Sequence, residues 1–212
     1  MLSRAGVALA VGDLNGDGRD DMAVGASYRG SAGALFFGLP NGQFSRTDWM
    51  PNTPMEVADI LLFDADNDND NDLLVVGGGN ERPLGVSEAF QPVLYRNDGR
   101  GHFDMISVLP RLSVSSQTAR AMDYDGDGDL DVLIAGRQVP GKYPLPPRSY
   151  LLRNDQDSGS LRFTDVTAQV APDLANIGLV CDALPLDMDG DGDNDLVLVG
   201  EIENEQPKVR QM

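Results

Sequence analysis

Two residue types that dominate many reactive sites are almost missing: the chain has one cysteine, Cys181, and one histidine, His102. A single cysteine excludes an intrachain disulfide, so no disulfide framework holds this fold. Basic residues are also scarce, at 16 Lys and Arg against 34 Asp and Glu, for a formal charge of −18. Nucleic acid and anionic membrane surfaces both need clustered cations, so neither is an expected partner. No apolar run is long enough to span a bilayer, and no membrane insertion is expected. Met1 to Val11 is partly apolar, but Gly12-Asp13 follows directly and leaves no cleavage region, so an export signal would have to lie upstream. What is abundant is glycine, 24 residues of 212, set between short apolar runs. That punctuation points to an all-β chain with many turns.

The acids are clustered, and the clusters repeat. They begin at Asp13, Asp64, Asp123 and Asp187, spaced 51, 59 and 64 residues apart. Each follows a short apolar stretch, 7–11, 57–63, 119–122 or 183–186, and precedes another that ends in Gly25, Gly77, Gly136 or Gly200. These runs are too short for helices, partly β-branched and bounded by turn residues, so they read as buried strands. Third strands follow at 34–37, 93–95 and 150–152. Polar turns come next (Pro40-Asn41-Gly42, Arg96-Asn97-Asp98-Gly99, Arg153-Asn154-Asp155), and fourth strands start at Phe44, Phe103 and Phe163. Each unit is a four-stranded antiparallel meander the size of a propeller blade. The expected architecture is one all-β propeller domain over 1–212, with repeats at about 5–52, 55–112, 116–170 and 178–212. Variable inserts at 78–91 and 137–148 lie between second and third strands, the latter stiffened by Pro140, Pro144, Pro146 and Pro147. The last repeat is incomplete, with Lys208 to Gln211 opening a third strand. The expectation is part of a larger propeller, or completion of that blade by the N-terminal segment or by a second chain, through self-association or otherwise.

Within each cluster the spacing is D-x-[DN]-x-D-[GN]-x-x-D. Positions 1, 3, 5 and 9 are Asp13, Asn15, Asp17 and Asp21; Asp64, Asp66, Asp68 and Asp72; Asp123, Asp125, Asp127 and Asp131; Asp187, Asp189, Asp191 and Asp195. Position 6 is Gly18, Asn69, Gly128 or Gly192, residues that tolerate the left-handed turn needed for alternate oxygens to converge. The backbone carbonyl of position 7 (Arg19, Asp70, Asp129, Asp193) adds a further oxygen. An all-oxygen set of this kind selects a hard cation, Ca²⁺, up to four ions in the chain. Carboxylates this close repel when empty, and affinity is expected to fall only at acid pH. Loop one, with three carboxylates, is the weakest of the four. An EF-hand is excluded: position 12 is Val24, Val75, Ile134 or Leu198, in the middle of a strand run, where that motif needs glutamate.

Asp13-Leu14-Asn15-Gly16-Asp17-Gly18-Arg19-Asp20-Asp21, followed by Gly25-Ala26-Ser27, resembles an FG-GAP repeat. The stretches Leu94–Phe103 and Phe163–Thr167 are similar to VCBS repeats of bacterial proteins and of the cartilage acidic protein group. The resemblance, to integrin α-subunit-type propellers, implies calcium loops on one face of a propeller often of seven blades. It implies an extracellular or cell-surface setting and a role in adhesion or protein interaction, with the ligand, protein or glycan, unspecified.

No catalytic constellation accompanies these loops, and the chain is not expected to be an enzyme. His102 reads as a solvated turn residue and Cys181 as a small buried residue ahead of a strand. Trp49 and Tyr28, Tyr95, Tyr124, Tyr143 and Tyr150 read as packing residues rather than sugar platforms. Two other functions stay open, a glycan-binding propeller lectin and a polysaccharide lyase on a calcium propeller. Chelation is expected to lower the melting temperature sharply, and Asp127→Ala to destabilise more than Asn97→Ala.

Overall fold

Alternation of side chains along each strand decides how the sheets stack. The computed structural model describes residues 7–27, 32–50, 53–80, 87–156, 160–201 and 209–210. The first blade is β1 (Leu9–Gly12), β2 (Asp21–Val24), β3 (Gly33–Gly38) and β4 (Phe44–Trp49), hydrogen-bonded in that order. The second is β5 (Val57–Phe63), β6 (Asp72–Gly77), β7 (Val93–Asn97) and β8 (Phe103–Ile106). The third is β9 (Ser115–Met122), β10 (Asp131–Gln138), β11 (Tyr150–Asn154) and β12 (Phe163–Asp165). In the fourth, β13 (Leu179–Leu186) pairs with β14 (Asp195–Glu201), which pairs with β15 (Val209–Arg210). All pairs are antiparallel, and the fourth strands begin at the expected phenylalanines. Lys208, Gln211 and Tyr28 lie outside the described residues.

Successive residues of each second strand point to opposite faces, and the two faces enter different cores. In β6, Leu73 and Val75 pack with Leu14, Ala23 and Leu35 of the first blade, while Leu74 and Val76 pack with Val132, Ile134 and Leu152 of the third. In β10 the other face, Leu133 and Ala135, joins Leu196 and Leu198 of the fourth blade. Each core is therefore shared between consecutive blades, which lie face to face with β1 beside β5, β5 beside β9 and β9 beside β13. This is the stacking of propeller blades. Burying one such Leu or Val side chain contributes about 1.5–3 kcal/mol, so a single blade removed from its neighbours would lose most of its core.

Three local features differ from the sequence reading. Cys181 lies inside β13, half-buried, at an irregularity where the register shifts between Val180 and Asp182. A bulge adds a residue to one strand, and Cys181 is that residue. Between the third and fourth blades, α1 (Thr167–Val170) and a 3₁₀ turn (Pro172–Asn176) insert Leu174 into the third core. Asn97 and Asn154, read as turn residues, end strands β7 and β11 and are buried.

Candidate metal centre

Each acidic loop joins the first strand of a blade to its second, and the four loops share one internal scaffold. Positions 4 and 6 adopt positive φ throughout: Gly16 and Gly18, Asn67 and Asn69, Gly126 and Gly128, Gly190 and Gly192. Position 4 was not singled out from the sequence, although its repeated Gly or Asn was the signal. The position 6 N–H donates to Oδ2 of the position 1 aspartate in every loop: Gly18 to Asp13 (2.8 Å), Asn69 to Asp64 (2.9 Å), Gly128 to Asp123 (3.0 Å) and Gly192 to Asp187 (3.1 Å). Likewise the position 7 N–H donates to Oδ1 at position 5, from Arg19, Asp70, Asp129 and Asp193 to Asp17, Asp68, Asp127 and Asp191.

Position 9 does a different job. Asp21, Asp72, Asp131 and Asp195 are buried. Each accepts the position 2 N–H at Oδ2, from Leu14, Ala65, Tyr124 and Met188. In the first three blades Oδ1 accepts the N–H at the end of the third strand, from Gly38, Asn97 and Asn154. These carboxylates are struts between loop and strand, whatever else they bind.

Three clusters bring one ligand oxygen from each of three acids within 4.8 Å of one another: Asp64, Asp66 and Asp72; Asp123, Asp125 and Asp127; Asp187, Asp189 and Asp195. Asp68, Asp70, Asp129, Asp131, Asp191 and Asp193 fall outside these triplets, as do Asp13, Asp17 and Asp21 of loop one. The position 7 side chains, which the sequence reading left aside, act differently from loop to loop. Arg19 Nη2 donates to Asp17 Oδ2 at 2.5 Å and its Nε to the Gly38 carbonyl. Asp129 accepts from Asn67 Nδ2 of the neighbouring loop. Asp70 Oδ1, like Asp66 Oδ1, is buried without a hydrogen-bond partner among the described residues.

Those two orphaned oxygens test whether the loops fit a cation. Anionic oxygens out of water and without donors are costly, and the protonation equilibria register it. Burial, then repulsion from Asp68, pushes Asp66 up and Asp70 to about 6. Burial pushes Asp72 to about 7 and Asp131 to about 6, against the pull of their backbone donors. Asp125 and Asp189 are raised by desolvation and then by their neighbours Asp127 and Asp191. Loop one runs the other way: desolvation is the largest single influence, but four backbone N–H groups together outweigh it and hold Asp13 below the usual range. Loops two to four thus present crowded anionic oxygen that could hold a divalent cation. With burial pushing Asp72 up to about 7, protons would compete for loop two above the acid range expected from the sequence.

The loops are also tied across blades. Asn97 Nδ2, at the end of β7, donates to the carbonyls of Leu14 in the first blade's loop and Asn71 in its own, both at 3.0 Å. Asn154 Nδ2 repeats this one blade on, to Ala65 (2.9 Å) and Leu130 (3.4 Å). Asn71 and Asn194 at position 8 reach back to the carbonyls of Asp13 and Asp123. His102 is exposed and contacts Asp98 at 3.0 Å. Among the described residues, no helix is long and apolar enough to cross a membrane.

Comparison with known proteins agrees with this geometry. Residues 5–37 match the FG-GAP repeat, and residues 123–198 match the FG-GAP-like repeat. Between them these segments hold the first, third and fourth loops. Rat (Rattus norvegicus) phosphatidylinositol-glycan-specific phospholipase D is 35% identical over a stretch that makes up 45% of this chain and 13% of that protein. The chain therefore corresponds to a small part of that relative. With the repeat models at both ends of a stack of antiparallel blades, each turned on the same acidic loop, the chain is an FG-GAP repeat protein.

Proposed function

We propose that this protein is a calcium-stabilised propeller module of an extracellular or cell-surface protein, serving adhesion or protein interaction rather than catalysis. The observation that carries the calcium reading is the pair of buried, donorless oxygens on Asp66 and Asp70, beside three triplets of converging carboxylates. An all-oxygen set with Asp64, Asp66 and Asp72 at its centre suits Ca²⁺ better than Zn²⁺ or Cu²⁺, which favour nitrogen and sulfur. When bound, the ion supplies positive charge that offsets carboxylate repulsion and fixes the turn between first and second strands. Asp123, Asp125 and Asp127 would hold a second ion and Asp187, Asp189 and Asp195 a third, with loop one weakest.

A non-catalytic role is favoured because the repeated acids are occupied in bracing turns and His102 is solvated. The phospholipase activity named for the rat relative belongs to that protein, of which this chain matches 13%. Extracellular fluid holds calcium at concentrations that saturate modest sites, which suits loops of this design. Isothermal titration with CaCl₂ after chelation, paired with melting curves in calcium and in EDTA, tests the reading. At least three ions and a sharp loss of melting temperature in EDTA are expected. Absence of binding at millimolar calcium, with unchanged melting, overturns it.

A further inference from the structure

Trp49, the only tryptophan in the chain, closes β4 on the outer side of the first blade. It is 8% exposed and meets Tyr95 of the second blade edge-on, ring centroids 5.1 Å apart. Its indole N–H is buried and finds no acceptor among the described residues. A buried indole donor is ordinarily paired, because leaving it dry and unbonded is costly. The ring lines a cleft of about 470 Å³ between the first two blades, walled also by Met55, Tyr95, Phe103 and Met105. That volume is in the range of ligand sites, roughly 300–1,000 Å³.

The cleft does not end there. A second one, about 620 Å³, lies between the second and third blades and shares Glu88, Val93 and Met105 with the first. Met105, at 66% exposure, is an apolar residue standing in water where the two meet. Exposed Arg111 lines the far cleft and makes no ion pair with a described residue; the same holds for Glu88. The groove thus carries an apolar wall at one end, a carboxylate where its two parts join and a guanidinium beyond it.

We propose that this rim groove docks an extended peptide: an apolar residue against the Trp49 ring, a basic residue at Glu88, and a carboxylate toward Arg111. The proposal deepens the protein-interaction reading and rests on it. A peptide fits better than a sugar because the near cleft has few polar groups to meet a ring of hydroxyls. Thr53, Glu88 and Tyr95 are its polar members, and the Thr53 hydroxyl already accepts the Met55 N–H. Methionines, here Met50, Met55 and Met105, adapt to varied side chains. Two clefts in series match an elongated occupant, and a chain of net charge −18 favours a basic one.

As the lone tryptophan, Trp49 reports occupancy by its own fluorescence. The probe is a positional-scanning library of acetylated, amidated nonapeptides, titrated against the calcium-loaded chain. Peptides with Leu, Phe or Pro close before Lys or Arg should shift Trp49 emission to saturation. Glu88→Gln, at an exposed position, should weaken those peptides about ten-fold while sparing versions with the basic residue replaced by glutamine. Trp49→Phe shrinks the aromatic wall of the near cleft, and should weaken binding several-fold by fluorescence anisotropy of a labelled peptide. Saturation by neutral oligosaccharides instead, or no saturating peptide below millimolar, overturns the proposal. Failure of the calcium reading is separate: it appears as melting indifferent to EDTA whether or not peptides bind.

Discussion

Loops one and two share the spacing of their acids, the positive-φ residues at positions 4 and 6 and the same hydrogen bonds from positions 6 and 7, yet their electrostatics are opposite. In loop one the side chain at position 7 is Arg19, 2.5 Å from Asp17, and Asp13 is held below the ordinary carboxylate range by backbone donors. In loop two that position is Asp70, whose Oδ1 is buried and donorless, and Asp66, Asp70 and Asp72 are all pushed upward. One loop carries its own counter-charge; the other calls for one. A shared motif therefore fixes the path of the backbone without fixing the demand for a cation, which the residues between the ligands decide.

The largest expected effect comes from removing the ion where demand is greatest. A ligand present at 100 times its dissociation constant stabilises by about 2.7 kcal/mol per site, and a chain of this size shifts by about 2–4 °C per kcal/mol. Chelation should therefore lower the melting temperature by several degrees for each of loops two to four. Asp64→Ala should abolish loop two's share of the EDTA response. Asp13→Ala should cost stability, since Gly16 and Gly18 lose their acceptor at 2.8 Å, yet leave the EDTA response nearly whole. Equal loss of that response in both variants, measured by calorimetry, would break the comparison.

A second contrast between blades concerns the end of the third strand. The first blade has Gly38 there, with no side chain to reach across, whereas the second and third have Asn97 and Asn154. Asn97→Ala leaves the Leu14 and Asn71 carbonyls without their donor and should cost about 1–3 kcal/mol, as should Asn154→Ala. Gly38→Ala tests a different matter, since its Cβ would lie 2.7 Å from the Asp20 carbonyl. The order expected from the sequence, Asp127→Ala more damaging than Asn97→Ala, should hold in calcium and reverse in EDTA. Asp127 is exposed and accepts the N–H of Asp129, so under the proposed calcium binding much of its worth would be the ion. Chemical denaturation of both variants with and without calcium checks this.

Blade boundaries, strand starts at Phe44, Phe103 and Phe163, and the four turning loops were legible because they rest on local rules: apolar alternation, turn residues and repetition. What escaped the sequence depends on what stands opposite in space. Asn97 looks like any hairpin asparagine until Leu14, far away in the chain, is seen to offer its carbonyl. Arg19 was considered only for its backbone carbonyl, because a spacing motif says nothing of where the guanidinium folds back. Cys181 was taken as preceding its strand because a bulge leaves little mark in composition. The short helix at Thr167–Val170 was missed because four residues carry no period.

Replacing Arg19 sharpens the contrast between loops at small cost to the fold. A partly exposed ion pair contributes about 0–1 kcal/mol, so Arg19→Gln should barely change melting in EDTA. It releases Asp17 beside Asp13, Asn15 and Asp21, and makes loop one resemble its neighbours. Titration should then reveal tighter calcium binding at loop one than in the parent chain. Weaker binding would mean that Arg19 holds Asp17 in place for the ion instead of competing with it.

A last contrast is a change of sign with pH. Asp72, near 7, and Asp70 and Asp131, near 6, are raised above the unfolded value of 3.8. Groups raised in this sense stabilise the folded chain when protonated, and that contribution is lost as pH climbs through 6 to 7. Without metal, the melting temperature should therefore rise on going from about pH 8 to pH 5. With calcium the ion holds the same oxygens ionised, so protons compete with it and the melting temperature should fall over the same interval. Carboxylates held low, such as Asp13 and Asp155, exert their opposite influence only near and below the ordinary value, outside that window. Melting curves in EDTA and in calcium should consequently converge toward pH 5. Loop two should account for most of the convergence, because Asp64→Ala removes the cation that separates the curves while Asp13→Ala does not. Parallel curves would mean that the buried carboxylates of loop two are relieved by something other than a bound cation.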